Sequence, residues 1–165
     1  MTNFHGKFAV TEKLYLTDSS HKRSQRKCMD QRPVSQNYSC SWSKYAERHY
    51  AKVFSKRYKN AWQTTRDDIT DVCRRIDSML LYKRADLIYD NGLQKIVKLD
   101  FAVAGTRVSP KSAGNRCILY VDEDTHYVEV LVAYSKNEIG PPNETDKWKA
   151  VVRENHTAIA KMFSI

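Results

Sequence analysis

The strongest constraint on this chain lies between Leu99 and Glu138. The run LDFAVAGTRVSPKSAGNR (99–116) leads into CILYVDEDTHYVEVLVAYSKNE (117–138), where apolar residues alternate with others at a period of two. Two segments, about Arg116 to Asp122 and Tyr127 to Ser135, flank the acidic turn Glu123-Asp124-Thr125 and predict a β-hairpin. Upstream, beyond the turn signal Asp90-Asn91-Gly92, a third strand is predicted. In it Val97, Leu99, Phe101 and Val103 point one way and Ile96, Lys98, Asp100 and Ala102 the other. A Gly, Pro and Ser-rich loop carrying Arg107 and Lys111 joins that strand to the hairpin. Several cations are thus expected around one small sheet, an arrangement suited to holding a phosphodiester.

Helical spacing precedes the strands. Ala46, Tyr50, Val53, Phe54 and Tyr58 recur at intervals of three and four, with Arg48, Lys52, Lys56, Arg57 and Lys59 on other faces. Asn60 interrupts this helix, and a second carries Trp62, Ile69, Val72, Cys73, Ile76 and Leu80 on one stripe, so the pair predicts a helical hairpin. A first strand is expected from Tyr38 to about Lys44. A final helix, opened by Asn143 or Thr145 after Pro141-Pro142, carries Trp148, Val151 and Val152. The expected fold class is α+β, a small antiparallel sheet with the helical hairpin packed on one face and the other face left for function.

Charge divides the 165 residues unevenly. Residues 1–60 carry 13 Lys and Arg against 4 Asp and Glu, residues 61–165 carry 15 of each, and the whole chain has a formal charge of +9. That asymmetry points to a polyanionic partner or a segment neutralised by an acidic one. Residues 1–37, with the polar stretch HKRSQRKCMDQRPVSQN, are expected to form a basic, weakly ordered arm. Within it Phe8, Val10, Leu14 and Leu16 suit a strand or a docking segment, and 38–165 are expected as the globular domain. Cys28, Cys40, Cys73 and Cys117 match neither a zinc pattern nor a disulfide scaffold and read as reduced thiols. No secretory signal and no membrane span is visible, so a cytoplasmic protein is expected.

Phosphate chemistry would fall to Lys98, Arg116, Arg107, Lys111 and Lys136, with Lys95 as a further RNA-binding candidate. Arg116 is the sharpest of these, because an arginine opening an apolar strand must find a partner. Arg clamps phosphate oxygens and Lys supplies a mobile charge, so together they can stabilise a phosphorane without a metal or other cofactor. For proton transfer the nearby side chains are Tyr134, Glu138 and Asp100, while His49, His126 and His156 read as surface residues. The loop lacks the P-loop order GxxxxGK[ST], and neither H-E-x-x-H, G-x-S-x-G nor paired CxxC motifs occur. The cluster Tyr38, Trp42, Tyr45, Tyr50, Phe54 and Tyr58 is spaced like core packing.

The helical hairpin, the Lys-bearing strand KIVKLDF, the Arg-opened strand RCILYV and the closing AYSKNE resemble the RelE/ParE superfamily of toxins from type II toxin–antitoxin modules, over about Tyr38 to Trp148. The resemblance implies a curved antiparallel sheet whose open groove takes mRNA, in the ribosomal A site, and cleaves it with the RNA 2′-OH as nucleophile. It places Lys98 on the strand of the family's catalytic lysines, Arg116 on its strand-opening arginine and Lys136 on the basic position after the last strand. A cognate antitoxin is the implied protein partner. The sequence departs from the family after the last strand, where Ser135-Lys136-Asn137-Glu138 stands in place of a His, Tyr or Arg. Tyr134 and Glu138 are the substitutes for the general acid and base. The same resemblance admits a ParE-like gyrase inhibitor, and the charge alone admits a non-catalytic nucleic-acid-binding module.

Overall fold

The computed structural model describes residues 37–165. The expected arm, with its Phe8 to Leu16 segment, lies outside the described residues except for Asn37.

The strands are β1 (Ser39–Trp42), β2 (Asp86–Asp90), β3 (Gln94–Phe101), β4 (Asn115–Asp122) and β5 (Tyr127–Ser135), and they form one sheet in the order β1-β5-β4-β3-β2. Neighbours from β2 to β5 pair antiparallel, whereas β1 runs parallel to β5 with Ser39 opposite Tyr127 and Trp42 opposite Val130. The sheet is therefore mixed, not antiparallel throughout. A parallel pair needs a long crossover, and here everything between Ser43 and His126 supplies it. The hairpin limits match the alternating pattern. The Asp90 to Gln94 turn forms as its residues suggest: the Asp90 carboxylate accepts from the Gly92 N–H at 2.8 Å, and the Asn91 side-chain oxygen from the Gln94 N–H at 2.9 Å.

Helix α1 (Lys44–Ala46) is capped by Ser43, whose hydroxyl accepts from the Ala46 N–H at 3.0 Å. It runs through a π-helical turn (Glu47–Ala51) into α2 (Lys52–Tyr58), which ends where Lys59 takes φ 48°. Next come α3 (Asn60–Cys73) and α4 (Ile76–Leu81). The spacing from Trp62 to Leu80 predicts one helix, but the chain breaks at Arg74-Arg75. There the Arg74 carbonyl accepts from the Tyr38 N–H at 3.0 Å, so it is drawn to the entry of β1 instead of the next helical turn. A short α5 (Pro110–Ala113) sits in the β3–β4 connection, and α6 (Glu144–Asn155) and α7 (Thr157–Phe163) close the fold.

Both sheet faces are covered. On one, Val97, Leu99, Phe101, Cys117, Leu119, Val128 and Val130 pack against Phe54, Trp62, Ile69 and Ile76 of the helical region. On the other, Ile96, Ile118, Leu131, Val132 and Tyr134 pack against Trp148, Val152, Ala160 and Phe163 of α6 and α7. The expected free face is thus occupied over its apolar part, because the apolar stripe of α6 has to be buried as much as the sheet does. A bulge makes this possible. Ile118 pairs with Val132 and Leu119 with Val130, which leaves Leu131 as an extra residue in β5. Val128 and Val130 face α2 and α3, but past the bulge Leu131, Val132 and Tyr134 join the α6 side.

Trp148, almost wholly buried, anchors α6 to the sheet. Trp148→Ala is expected to cost about 3–5 kcal/mol in urea unfolding. A loss below about 1 kcal/mol would show that α6 does not depend on this contact.

Candidate functional site

Register brings three of the singled-out side chains into one group. Asp100 of β3 lies opposite Arg116 of β4, and Arg116 lies opposite Tyr134 of β5, so the three form a row across the sheet on the α6 side. The bulge at Leu131 carries Tyr134 to that side; unbroken alternation from Val130 would have turned it to the opposite face. Lys98 shares the face, two residues before Asp100 on β3, and its ammonium lies 3.0 Å from a carboxylate oxygen of Asp86 on the edge strand.

Arg116 is doubly held. Its Nε donates to Asp100 Oδ1 at 3.2 Å, its Nη1 donates to Glu144 Oε1 at the start of α6, and Tyr134 donates its hydroxyl to the same Glu144 oxygen at 2.7 Å. The Arg116 and Glu144 side chains are each only 16% exposed, so their interaction is screened little. Burial pushes the Glu144 carboxyl up, but the Arg116 guanidinium and the Tyr134 hydroxyl outweigh it and hold the group below the usual carboxylate range. For Tyr134, burial and the Glu144 carboxylate together push the phenol well above its usual value. Burial works against the Arg116 cation, yet Glu144 and Asp100 raise its pKa overall. At neutral pH Arg116 and Glu144 are therefore charged and the Tyr134 phenol is protonated, with Asp100, Lys98 and Asp86 alongside.

The other candidates divide by place. Lys136, just past β5, donates its N–H to the Gly114 carbonyl at 2.8 Å, and its side chain runs beside Gly114 at the entry of β4. Glu138 is ion-paired with Arg57 of α2, which ties the end of the basic helix to the turn after β5. Arg107 and Lys111 are exposed in the β3–β4 connection and have no ion pair among the described residues. Lys95 is not brought to the group. It pairs with Glu123 on the opposite face of β3, toward the other end of the strand.

Glu144 and Asp86, the carboxylates that answer Arg116 and Lys98, were not singled out in the sequence. An arginine in an apolar strand signals that some acid must meet it, but the acid comes from a helix 28 residues later. No local pattern identifies it.

The excess positive charge of the described residues lies elsewhere. From 44 to 59 the chain carries six Lys and Arg against Glu47 alone, whereas 61–165 is balanced. Arg48, Lys52 and Lys56 are exposed on successive turns and, with Gln63 and Arg66 of α3, line a groove of about 430 Å³. Arg66 is held by Glu47 and lies over the Trp42 ring, while Arg48, Lys52 and Lys56 have no ion pair among the described residues.

His49 stacks on Tyr45, His126 lies in the β4–β5 turn against Tyr38, and His156 is half-buried beside Tyr45, so none of them adjoins Arg116. Among the described residues no group of three or more His, Cys, Asp or Glu is placed to hold a metal ion, and no helix is long and apolar enough to cross a membrane. No protein-family model, no curated protein and no solved structure matches the chain.

Because the Glu144 pKa is lowered in the folded protein, its contribution is fully present above the ordinary carboxyl range and is lost as pH falls through the lowered value. Between about pH 6 and pH 3 the wild type is expected to lose more stability than Glu144→Gln, read from urea midpoints at each pH. Equal pH slopes would show that Glu144 is not held low.

Proposed function

We propose that the protein is a RelE-like toxin, an endoribonuclease that cleaves mRNA on the ribosome in the cytoplasm and is held inactive by a cognate antitoxin. The observation that carries this reading is the placement of Lys98 and Arg116 on one sheet face, in a domain whose excess positive charge lies on the helical stretch 44–59 packed over the other face. The charge on 44–59 supplies attraction for a polyanion, and the sheet supplies two cations in fixed positions. In the reaction the RNA 2′-OH attacks its own phosphorus and the P–O5′ bond breaks, giving a 2′,3′-cyclic phosphate and a 5′-hydroxyl. Arg116 and Lys98 stabilise the charge that builds on the phosphorane. The phosphate takes the place of the Glu144 carboxylate on Nη1 of Arg116, while Asp100 keeps Nε and so fixes the guanidinium plane. The antitoxin covers the basic face.

One observation favours a second reading. Tyr134 is buried and held protonated, Glu138 is taken by Arg57, and the described histidines lie elsewhere, so no uncommitted acid or base flanks Arg116. A ParE-like gyrase inhibitor or a non-catalytic nucleic-acid-binding protein needs none.

Induced expression of the wild type and of Lys98→Ala/Arg116→Ala in bacteria, with growth followed and RNA 5′ ends mapped, separates these readings. The expected result is arrest with new ends inside coding regions, and cleavage lowered by about 10²-fold or more in the double variant. Arrest without new ends, together with loss of supercoiling in a gyrase assay, would establish the gyrase reading instead. Undiminished cleavage by the double variant would remove the assigned site.

A further inference from the structure

On the sheet face away from Arg116, a cavity of about 440 Å³ lies between α3, α4, β3 and the β3–β4 connection. Val72, Met79, Leu99 and Pro110 give it an apolar lining, and Lys83, Arg84 and Lys111 reach it from the turn after α4 and from α5. All three cations are exposed, and none has an ion-pair partner among the described residues. Asp100 also contributes to the wall, but its carboxylate is held by Arg116. Lys83 keeps a left-handed backbone, φ 54°, that a non-glycine residue seldom adopts.

Three unpaired cations around an apolar floor call for an amphipathic anion with more than one negative charge. A lone carboxylate would leave two of them unanswered, whereas a phosphate monoester presents enough oxygens for all three. The volume lies within the usual range for a small-molecule site. We propose that this cavity is a mononucleotide pocket, with the base against Val72, Met79 and Leu99 and the phosphate between Lys83, Arg84 and Lys111. The nucleotide arrives free or as one unit of an RNA strand, and the recognising chemistry is the same. Because the cavity lies on the other face of the sheet, the proposal does not depend on cleavage at Arg116.

Calorimetric titration of the full chain with AMP, adenosine, inorganic phosphate and a short oligoadenylate tests it. Saturable AMP binding is expected, with adenosine and phosphate each at least about tenfold weaker and the oligonucleotide competing with AMP. Lys83→Gln/Arg84→Gln/Lys111→Gln is expected to weaken AMP at least about tenfold with an unchanged unfolding midpoint, and Lys111→Glu alone to weaken it in the same direction. Lys98→Ala, whose ammonium pairs with Asp86 and does not line the cavity, is expected to bind AMP as the wild type does. No saturable AMP binding, equal binding by the triple variant, binding of the oligonucleotide but not AMP, or loss in the Lys98→Ala variant would each overturn the pocket. RNA cleavage by a protein that does not bind AMP would leave the nuclease reading standing and remove this one.

Discussion

Burying β3, β4 and β5 on both faces is the constraint from which the rest of the arrangement follows. A charged side chain on such a strand has no water to turn to and must find an opposite charge or lie at the margin of the cover. Arg116 meets that demand at the end of β4, where the apolar packing of α6 gives way to its first turn. Asp100 across the strand pair and Glu144 from α6 close on the guanidinium, and Tyr134 donates to the same Glu144 oxygen. The ion pair thus serves two ends, satisfying a partly buried cation and fixing where α6 begins.

The electrostatic consequence is a division of labour. The sheet group sets Arg116 and Lys98 against three carboxylates, Asp100, Glu144 and Asp86, and so carries no excess of positive charge. The positive excess lies on 44–59, whose exposed Arg48, Lys52 and Lys56 are unpaired among the described residues, and the Arg57–Glu138 pair connects that helix to the end of the sheet. In the proposed function, long-range attraction and short-range positioning thereby fall to different residues.

Much of this architecture is legible in the amino-acid sequence, and the parts that are not have identifiable causes. The β4 and β5 limits, the two turns and the facing of Lys98 and Asp100 follow from period-two alternation and from Asp, Asn and Gly chemistry, which act over a few residues. Strand β2 was hidden because DLIYD is short, lies on a sheet edge and has no alternation to read. The α3–α4 break depends on a hydrogen bond from Tyr38, 36 residues upstream of Arg74, and the position of Tyr134 depends on a bulge inside the uniformly apolar VLVA. Arg116 was legible as a residue in need of a partner. The partner was not, since only tertiary packing brings Glu144 to it.

The most direct test of the functional account is chemical. Purified protein incubated with translating ribosomes carrying a 5′-labelled mRNA should release fragments ending in a 2′,3′-cyclic phosphate, their downstream partners beginning with a 5′-hydroxyl. Fragments with 3′-hydroxyl and 5′-phosphate ends, or mRNA left intact by folded protein, would contradict 2′-OH attack at the Arg116 face and with it the central claim.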